Sequence, residues 1–299
     1  MTPALPSPLA LVCHDEGPLQ LILPWLDLDA IGVRAFLQGP ALALWQDRFG
    51  QRSLVDSIEQ ALDGAVLLLS GTSWTHDLEH HARLQAAQRG LRSVGVLDHW
   101  LGYAARFQRD GHRVLPDEVW VVDAEAYALA RTSFPGQAVR LQPNGHLREQ
   151  VQRLSPCPDP RRFPAVLVLM EHAGSDWGRD RPGEVQALDF LLAQAHRLGL
   201  SEPLSLHLRA MDGDGPERWA AWAAAQRGQH RVSLDPSATL ADAIDGVAWV
   251  AGLESPALVL AQAAGRRAVC LQPPWAPRSR LPQRGLIHLR DLIVRSAAA

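Results

Sequence analysis

The chain repeats one device from end to end: a short apolar run, a turn, then a stretch with helical spacing. In its first half the apolar runs fall at 9–13, 32–37, 65–69, 93–97, 118–122 and 138–141. Helical patterns lie between them at 19–26, 41–49, 54–62, 77–89, 100–107, 124–132 and 147–154. The runs are too short for buried helices and several are β-branched, so they read as strands. Strands alternating with helices imply right-handed crossovers and a parallel sheet covered on both faces. Four prolines in residues 155–164, SPCPDPRRFP, continue neither a helix nor a central strand, and that stretch reads as a linker. The pattern then restarts, with runs at 165–170, 204–208, 231–234, 248–251 and 268–271 and helical patterns at 185–198, 217–226, 240–244 and 256–264. A proline-rich stretch, 273–282, precedes a last strand or helix at 286–296. The expected fold class is α/β: two Rossmann-like parallel-sheet domains, 1–154 and 165–275, joined by the linker 155–164 and facing a cleft, a favoured place for a ligand.

Bulk properties narrow the function classes. A length of 299 residues suits two domains, and 47% apolar with 20% charged residues suits a soluble globular protein. A net charge of −3 offers no basic surface for nucleic acid. Arg supplies all the basic side chains counted with Lys, so a lysine nucleophile, Schiff base or Walker-type lysine is excluded. Cys13, Cys157 and Cys270 are far apart and show no C-x-x-C spacing, which indicates neither a zinc site nor a disulfide framework. The opening MTPALPSPLALVCHDEG has no basic n-region and no long apolar core, so no signal peptide is expected. No stretch approaches the roughly 20 apolar residues that span a bilayer, and a cytoplasmic location is expected.

Reactive side chains collect where the strand-like runs stop, the edge at which open parallel sheets bind ligands. Cys13-His14-Asp15-Glu16-Gly17-Pro18 ends one run and opens a helix, with Asp15 or Glu16 as a candidate general base and Asp15 equally suited to capping. No G-x-G-x-x-G occurs, which disfavours a dinucleotide site. Gly71-Thr72-Ser73 ends the run at 65–69 and offers hydroxyls to a sugar, while Thr75 and Asp77 suit helix capping. His76, His80 and His81 lack the glutamate of H-E-x-x-H and read as a wet helical face. Asp98-His99-Trp100 sets a carboxylate beside an imidazole at another strand end. Trp100, Tyr103 and Phe107 repeat at helical spacing and suit core packing at least as well as sugar stacking.

In the second half Glu171 follows a strand, His207 and Arg209 close the run at 204–208, and Gly252-Leu253-Glu254-Ser255-Pro256 opens a helix. Ser255 at a helix start suits a phosphate, which His207 or Arg209 would neutralise. Asp212-Gly213-Asp214 reads as a turn.

With these segments in view, the chain resembles the GT-B class of glycosyltransferases, most of all bacterial sialyltransferase- and polysialyltransferase-type enzymes of surface-polysaccharide clusters. The similar segments are His14–Pro18, Gly71–Glu79, the run VLDHWLGYAARF at 96–107 with Pro116-Asp117-Glu118 after it, and Gly252–Gly265. The resemblance implies an acceptor-side first domain, a second domain for the nucleotide sugar, no required metal, and a last segment, 276–299, crossing back to the first domain. It places the donor phosphate at His207 and Ser255, with Leu208 standing where family members often carry proline.

The leading expectation is a cofactor-free glycosyltransferase that moves a sugar from a nucleotide-sugar donor, CMP-linked by preference, to a glycan or protein acceptor. Asp15, Glu16 or Asp98 would act as base; Glu171, His207, Arg209, Gly252, Glu254 and Ser255 would hold the donor; Gly17, Thr72, Ser73, His99 and Trp100 would meet the acceptor. The alternatives are a nucleotide-sugar epimerase or hydrolase, and a non-catalytic sugar-binding relative.

Overall fold

The computed structural model describes residues 3–73, 75–211, 214 and 217–296. The chain divides into two compact units, Met1–Arg148 and Glu149–Ala299. Each carries a six-stranded parallel sheet, as the alternating pattern requires.

The first unit contains β1 (Leu9–Cys13), β2 (Val33–Leu37), β3 (Leu67–Ser70), β4 (Ser93–Val96), the antiparallel pair β5 (Gln108–Arg109) and β6 (His112–Arg113), β7 (Glu118–Val121) and β8 (Ala138–Leu141). The sheet runs β2-β1-β3-β4-β7-β8. Its helices are α1 (Glu16–Ile22), α2 (Gly39–Phe49), α3 (Ile58–Leu62), α4 (Leu78–Gln88) and α5 (Ala124–Ser133). Strand β1 is apolar at every position because both of its faces are covered. Successive side chains point to opposite faces, so Leu9, Leu11 and Cys13 pack with Trp45, while Ala10 and Val12 pack with Ala61 and Ala82.

Helix α6 (Gly145–Arg153) spans the boundary between the units, and the proline-rich residues 155–164 follow it without helix or strand. The second unit contains β9 (Val166–Met170), β10 (Ser205–Ala210), β11 (Arg231–Leu234), β12 (Trp249–Gly252), β13 (Arg267–Cys270) and β14 (Ile287–His288), in the order β11-β10-β9-β12-β13-β14. Its helices are α7 (Gly183–Gln194), α8 (Glu217–Ala225), α9 (Leu240–Asp245), α10 (Pro256–Ala263) and α11 (Leu289–Ser296). Local chemistry sets several helix starts: Thr239 and Asp242 form a capping box on α9, and Ser255 caps α10. From the segment expected to cross back, β14 joins the second sheet, and Leu292 and Ile293 pack on the second unit's core.

One expected helix is corrected. Residues 100–107 fold as turns with a single 3₁₀ turn at Ala105–Phe107, because Gly102 takes a φ of 65° and breaks the helical path. Tyr103 and Phe107 still reach the core, by way of a loop. Among the described residues no helix is long and apolar enough to cross a membrane.

Trp219 on α8 is buried in the second unit's core. Trp219→Ala is expected to cost about 3–5 kcal/mol. Hydrogen exchange should then lose protection in β9 and β10 and keep it in β1 and β3; equal loss in both sheets would contradict separate cores.

Candidate functional site

Where strand order reverses in an open parallel sheet, a crevice forms outside the strands' carboxyl ends. In the second sheet the reversal lies between β9 and β12. A pocket of about 810 Å³ sits there. Strand β9 hands the chain to Glu171 and His172, β10 delivers Arg209, and β12 leads through Leu253 and Glu254 to Ser255. Gln272, just past β13, and Arg280 complete the polar lining, and Leu169, Leu253, Trp177 and Pro256 supply apolar wall.

Glu171 organises this pocket. Its Oε2 accepts the N–H of Leu253 at 2.9 Å and of Glu254 at 2.7 Å, which pins the loop after β12 to the end of β9. Burial pushes its carboxyl above the ordinary carboxylate range, while those bonds and the nearby Ser255 hydroxyl work the other way. Ser255 Oγ accepts the Ala257 N–H at 3.1 Å. Glu254 is held by Arg280, whose backbone N–H donates at 2.7 Å and whose Nη2 donates at 2.6 Å. Arg209 Nη1 donates to Asp235 at 2.6 Å and to the Ser237 carbonyl at 3.1 Å. Burial works to raise the Asp235 carboxyl, but hydrogen bonds from Ser237 and Arg209 outweigh it and hold the group below its ordinary value. His172 Nε2 lies 3.2 Å from Asp214, and Arg218 joins Asp214 at 2.9 Å to Glu184 at 2.6 Å.

The first sheet reverses between β1 and β3. Just past β1 the His14 N–H donates to Glu79 Oε1 at 2.9 Å, and His14 Nδ1 meets Asp15 Oδ1 at 2.7 Å. The His14 and His76 rings stack with centroids 3.5 Å apart. Glu79 is fully buried, and burial raises its carboxyl above the ordinary value against the pull of the His14 N–H. Gly71 makes room for it: a Cβ there would lie 2.6 Å from Cys13 Sγ and 2.9 Å from Glu79 Oε1. Beyond β4, Asp98 pairs with the buried Arg106 at 2.8 Å, and the same Nη1 donates to the Thr72 carbonyl at 3.0 Å. Burial first, then the neighbouring Glu79, Asp98 and Asp15, pushes the Cys13 thiol well up, which makes it a poor nucleophile.

Of the side chains expected to hold a donor, Glu171, Arg209, Glu254 and Ser255 meet in the second unit's pocket. Gly252 ends β12 behind them, against Leu169. His207 does not join them: β10 runs on to Ala210, so His207 lies within the strand and bonds Ser233 of β11 at 3.0 Å. The N–H groups beyond Ser255, expected to be free for phosphate, are engaged locally: Pro256 has none, Ser255 Oγ accepts that of Ala257 at 3.1 Å, and the Ser255 carbonyl accepts that of Leu258 at 3.0 Å.

In the first unit Asp15 precedes α1, but its side chain makes no capping bond; it is engaged by His14. Glu16 is exposed and accepts from Gln20 one turn on. Gly17 is closed off by the Asp98 carboxylate, which a Cβ there would strike. Thr72 and Ser73 are buried: the Thr72 hydroxyl donates to the Val96 carbonyl at 2.8 Å, and Ser73 Oγ accepts the Thr75 and His76 N–H groups. His99 Nδ1 accepts the Trp100 N–H, and Trp100 Nε1 donates to Asp123 at 2.7 Å. Asp212 lies outside the described residues. The wet-face reading holds for His76 and His81, which are exposed, and is corrected for His80, which α4 buries along with Glu79 and Arg83. Glu79 and Gln272 were not singled out by the sequence; the i, i+4 spacing of Glu79 and Arg83 was the available hint for the former.

No protein-family model matches the chain, and no curated protein does. Among solved structures it is similar to the S. aureus MnaA–UDP co-structure, with a TM-score of 0.59, 11% identity, and coverage of 97% of this chain and 87% of that one. It is also similar to a Listeria monocytogenes protein assigned as a UDP-N-acetylglucosamine 2-epimerase, with a TM-score of 0.60, 12% identity, and coverage of 98% and 87%. At such identities the likeness shows the fold: two parallel-sheet α/β units of GT-B-like type. The glycosyltransferase expectation is overturned at this point, because the Listeria neighbour is assigned as an epimerase and neither neighbour gives support to a sialyltransferase. A CMP-linked donor and an acceptor find no counterpart there either.

Because burial raises the Glu79 pKa on folding, the native state retains a proton that the unfolded chain releases above its ordinary value of 4.5. Stability therefore falls as pH rises through that window. Glu79→Gln keeps an oxygen for the His14 N–H and removes the ionisation, so the variant should gain on the wild type as the pH rises above the ordinary carboxyl value of 4.5 in urea unfolding. A pH-independent difference would contradict this.

Proposed function

We propose that the chain binds a uridine-type nucleotide sugar in the second unit's pocket and acts on it without a second substrate, as an epimerase or, failing that, a hydrolase. The observation that carries this reading is the pocket of about 810 Å³ at the strand-order reversal between β9 and β12. Its size suits a nucleotide, and its position is that of ligands in open parallel sheets generally. The UDP in the MnaA co-structure and the 2-epimerase assignment of the Listeria protein supply the ligand class.

Glu171 fixes the loop, Arg209 meets the phosphates, and Trp177 adds an aromatic wall. Arg209 has charge to offer although Asp235 takes part of it: among the described residues only Nη1 is engaged, and the guanidinium has further donors in a fixed fork.

The test is incubation of the chain in D2O with UDP-N-acetylglucosamine alone, followed by NMR. Solvent deuterium at the epimerised carbon supports the reading, and free UDP with a reducing sugar points to the hydrolase. An unchanged and unbound nucleotide sugar overturns it. Arg209→Ala should weaken UDP about tenfold or more, with a melting curve to confirm that unpairing Asp235 spares the fold.

A further inference from the structure

A left-handed backbone strains any bulky residue, and it persists only where the surroundings hold it in place. Among the described residues three non-glycine positions take that conformation, and only Trp177, at a φ of 51°, carries a large side chain. The other two, Ser53 and Asp110, are small polar residues of turns. Glycines at 174 and 178 take φ values of 65° and 74°, so a third glycine at 177 would serve the loop with less strain. The indole is therefore what the position retains. The loop after β9 is fixed around it. The Ala173 N–H donates to Glu184 at 3.1 Å, the Gly183 N–H to the Ser175 carbonyl at 2.9 Å, and Gln186 Nε2 to the Asp176 and Arg181 carbonyls at 2.6 and 2.7 Å. Gln186 accepts from Trp275 Nε1 at 2.8 Å, and Arg179 lies 3.8 Å over the Trp275 ring, which ties this loop to the one after β13. Gly183 leaves the room, since a Cβ there would lie 2.8 Å from Trp177 Cε2. Part of the half-buried indole packs on the second unit's core, and the remainder lines the pocket.

We infer that Trp177 is a stacking platform, a specificity-determining residue against whose indole a flat ring face of the bound ligand lies, that of the base or of the sugar. The inference rests on the reading of this pocket as a nucleotide-sugar site. The charged lining serves the ligand's phosphates, whereas its rings present apolar faces that need an apolar partner of matching shape. Leu169, Leu253 and Pro256 offer aliphatic surface, and Trp177 is the one Trp, Tyr or Phe of the lining. An indole meets a base or a sugar ring over a broad face and does so with few rotatable bonds. Because the loop is already held by the bonds to α7 and to Trp275, the platform need not be ordered when the ligand arrives. Strain at a built, pinned position that opens on a pocket is the arrangement expected of a residue kept for its contact with a ligand.

The experiment is calorimetric titration of the full chain, of Trp177→Phe and of Trp177→Leu with UDP and with UDP-N-acetylglucosamine, beside thermal melts without ligand. The phenylalanine variant keeps an aromatic face and should bind within about threefold of the wild type. The leucine variant keeps apolar bulk without that face, and its affinity should fall about tenfold or more for the ligand whose ring is stacked. A fall with UDP assigns the base to Trp177, and a fall confined to UDP-N-acetylglucosamine assigns the sugar. Should the leucine variant melt low, Trp177→Gly, which suits the left-handed backbone, takes its place with the same loss expected. Wild-type affinity of the leucine or glycine variant for both ligands overturns the platform. So does a phenylalanine variant that loses as much as the leucine one, because side-chain volume and not an aromatic face would then be at work. A wild-type chain that binds neither ligand overturns the nucleotide-sugar reading itself, a different result from either.

Discussion

Two backbone N–H groups pointing at one buried carboxylate hold the second unit's pocket in shape. Glu171 leaves the end of β9 and reaches across the strand-order reversal to Leu253 and Glu254, the residues that lead into α10. Hydrogen bonds to a charged acceptor contribute about 1.5–3 kcal/mol each, and they must offset the cost of keeping that charge from water. The first unit repeats the device at its own reversal, where Glu79 accepts the His14 N–H just past β1. In both places a protein carboxylate occupies the kind of donor that a phosphate would otherwise take. On the proposed reading a ligand phosphate is met by Arg209, and burial shifts both carboxyls toward their neutral forms.

Much of the fold was legible because burial on two faces leaves a plain mark. Strand β1 occupies 9–13 and β13 overlaps the run at 268–271, both with the apolar, partly β-branched composition of covered parallel strands. Site residues were legible only where strand ends could be located to within a residue. His207 was expected at a strand end because the apolar run stops at Leu208, yet β10 continues through Arg209 and Ala210, so a two-residue error moved His207 from pocket to strand interior. Glu79 was hidden for a different reason. Helix α4 has a polar inner face, with Glu79, His80 and Arg83 buried, and no periodicity argument separates such a face from one that meets water. Gln272 sits in LQPP, where nothing local marks an amide as buried. Its place on the lining appears only once the strands are assembled.

The correction of the activity has a physical basis as well. Most of the short segments that suggested a transferase begin at strand ends, and any doubly wound sheet needs small, capping and carboxylate residues there. The fold they imply is present, while chemistry belongs to particular groups set on it. Thr72, Ser73 and Gly17 illustrate the distinction: each has the composition of an acceptor contact, and each is spent on the packing of the first unit.

The central claim is that the end of the second sheet is a nucleotide pocket shaped by Glu171. Hydrogen exchange of the full chain with and without saturating UDP tests it most directly. The account predicts slowed exchange at 171–173, 209–211 and 253–258, the segments that line the pocket or carry its loop. Unchanged exchange at those residues, with protection elsewhere or none at all, would contradict it.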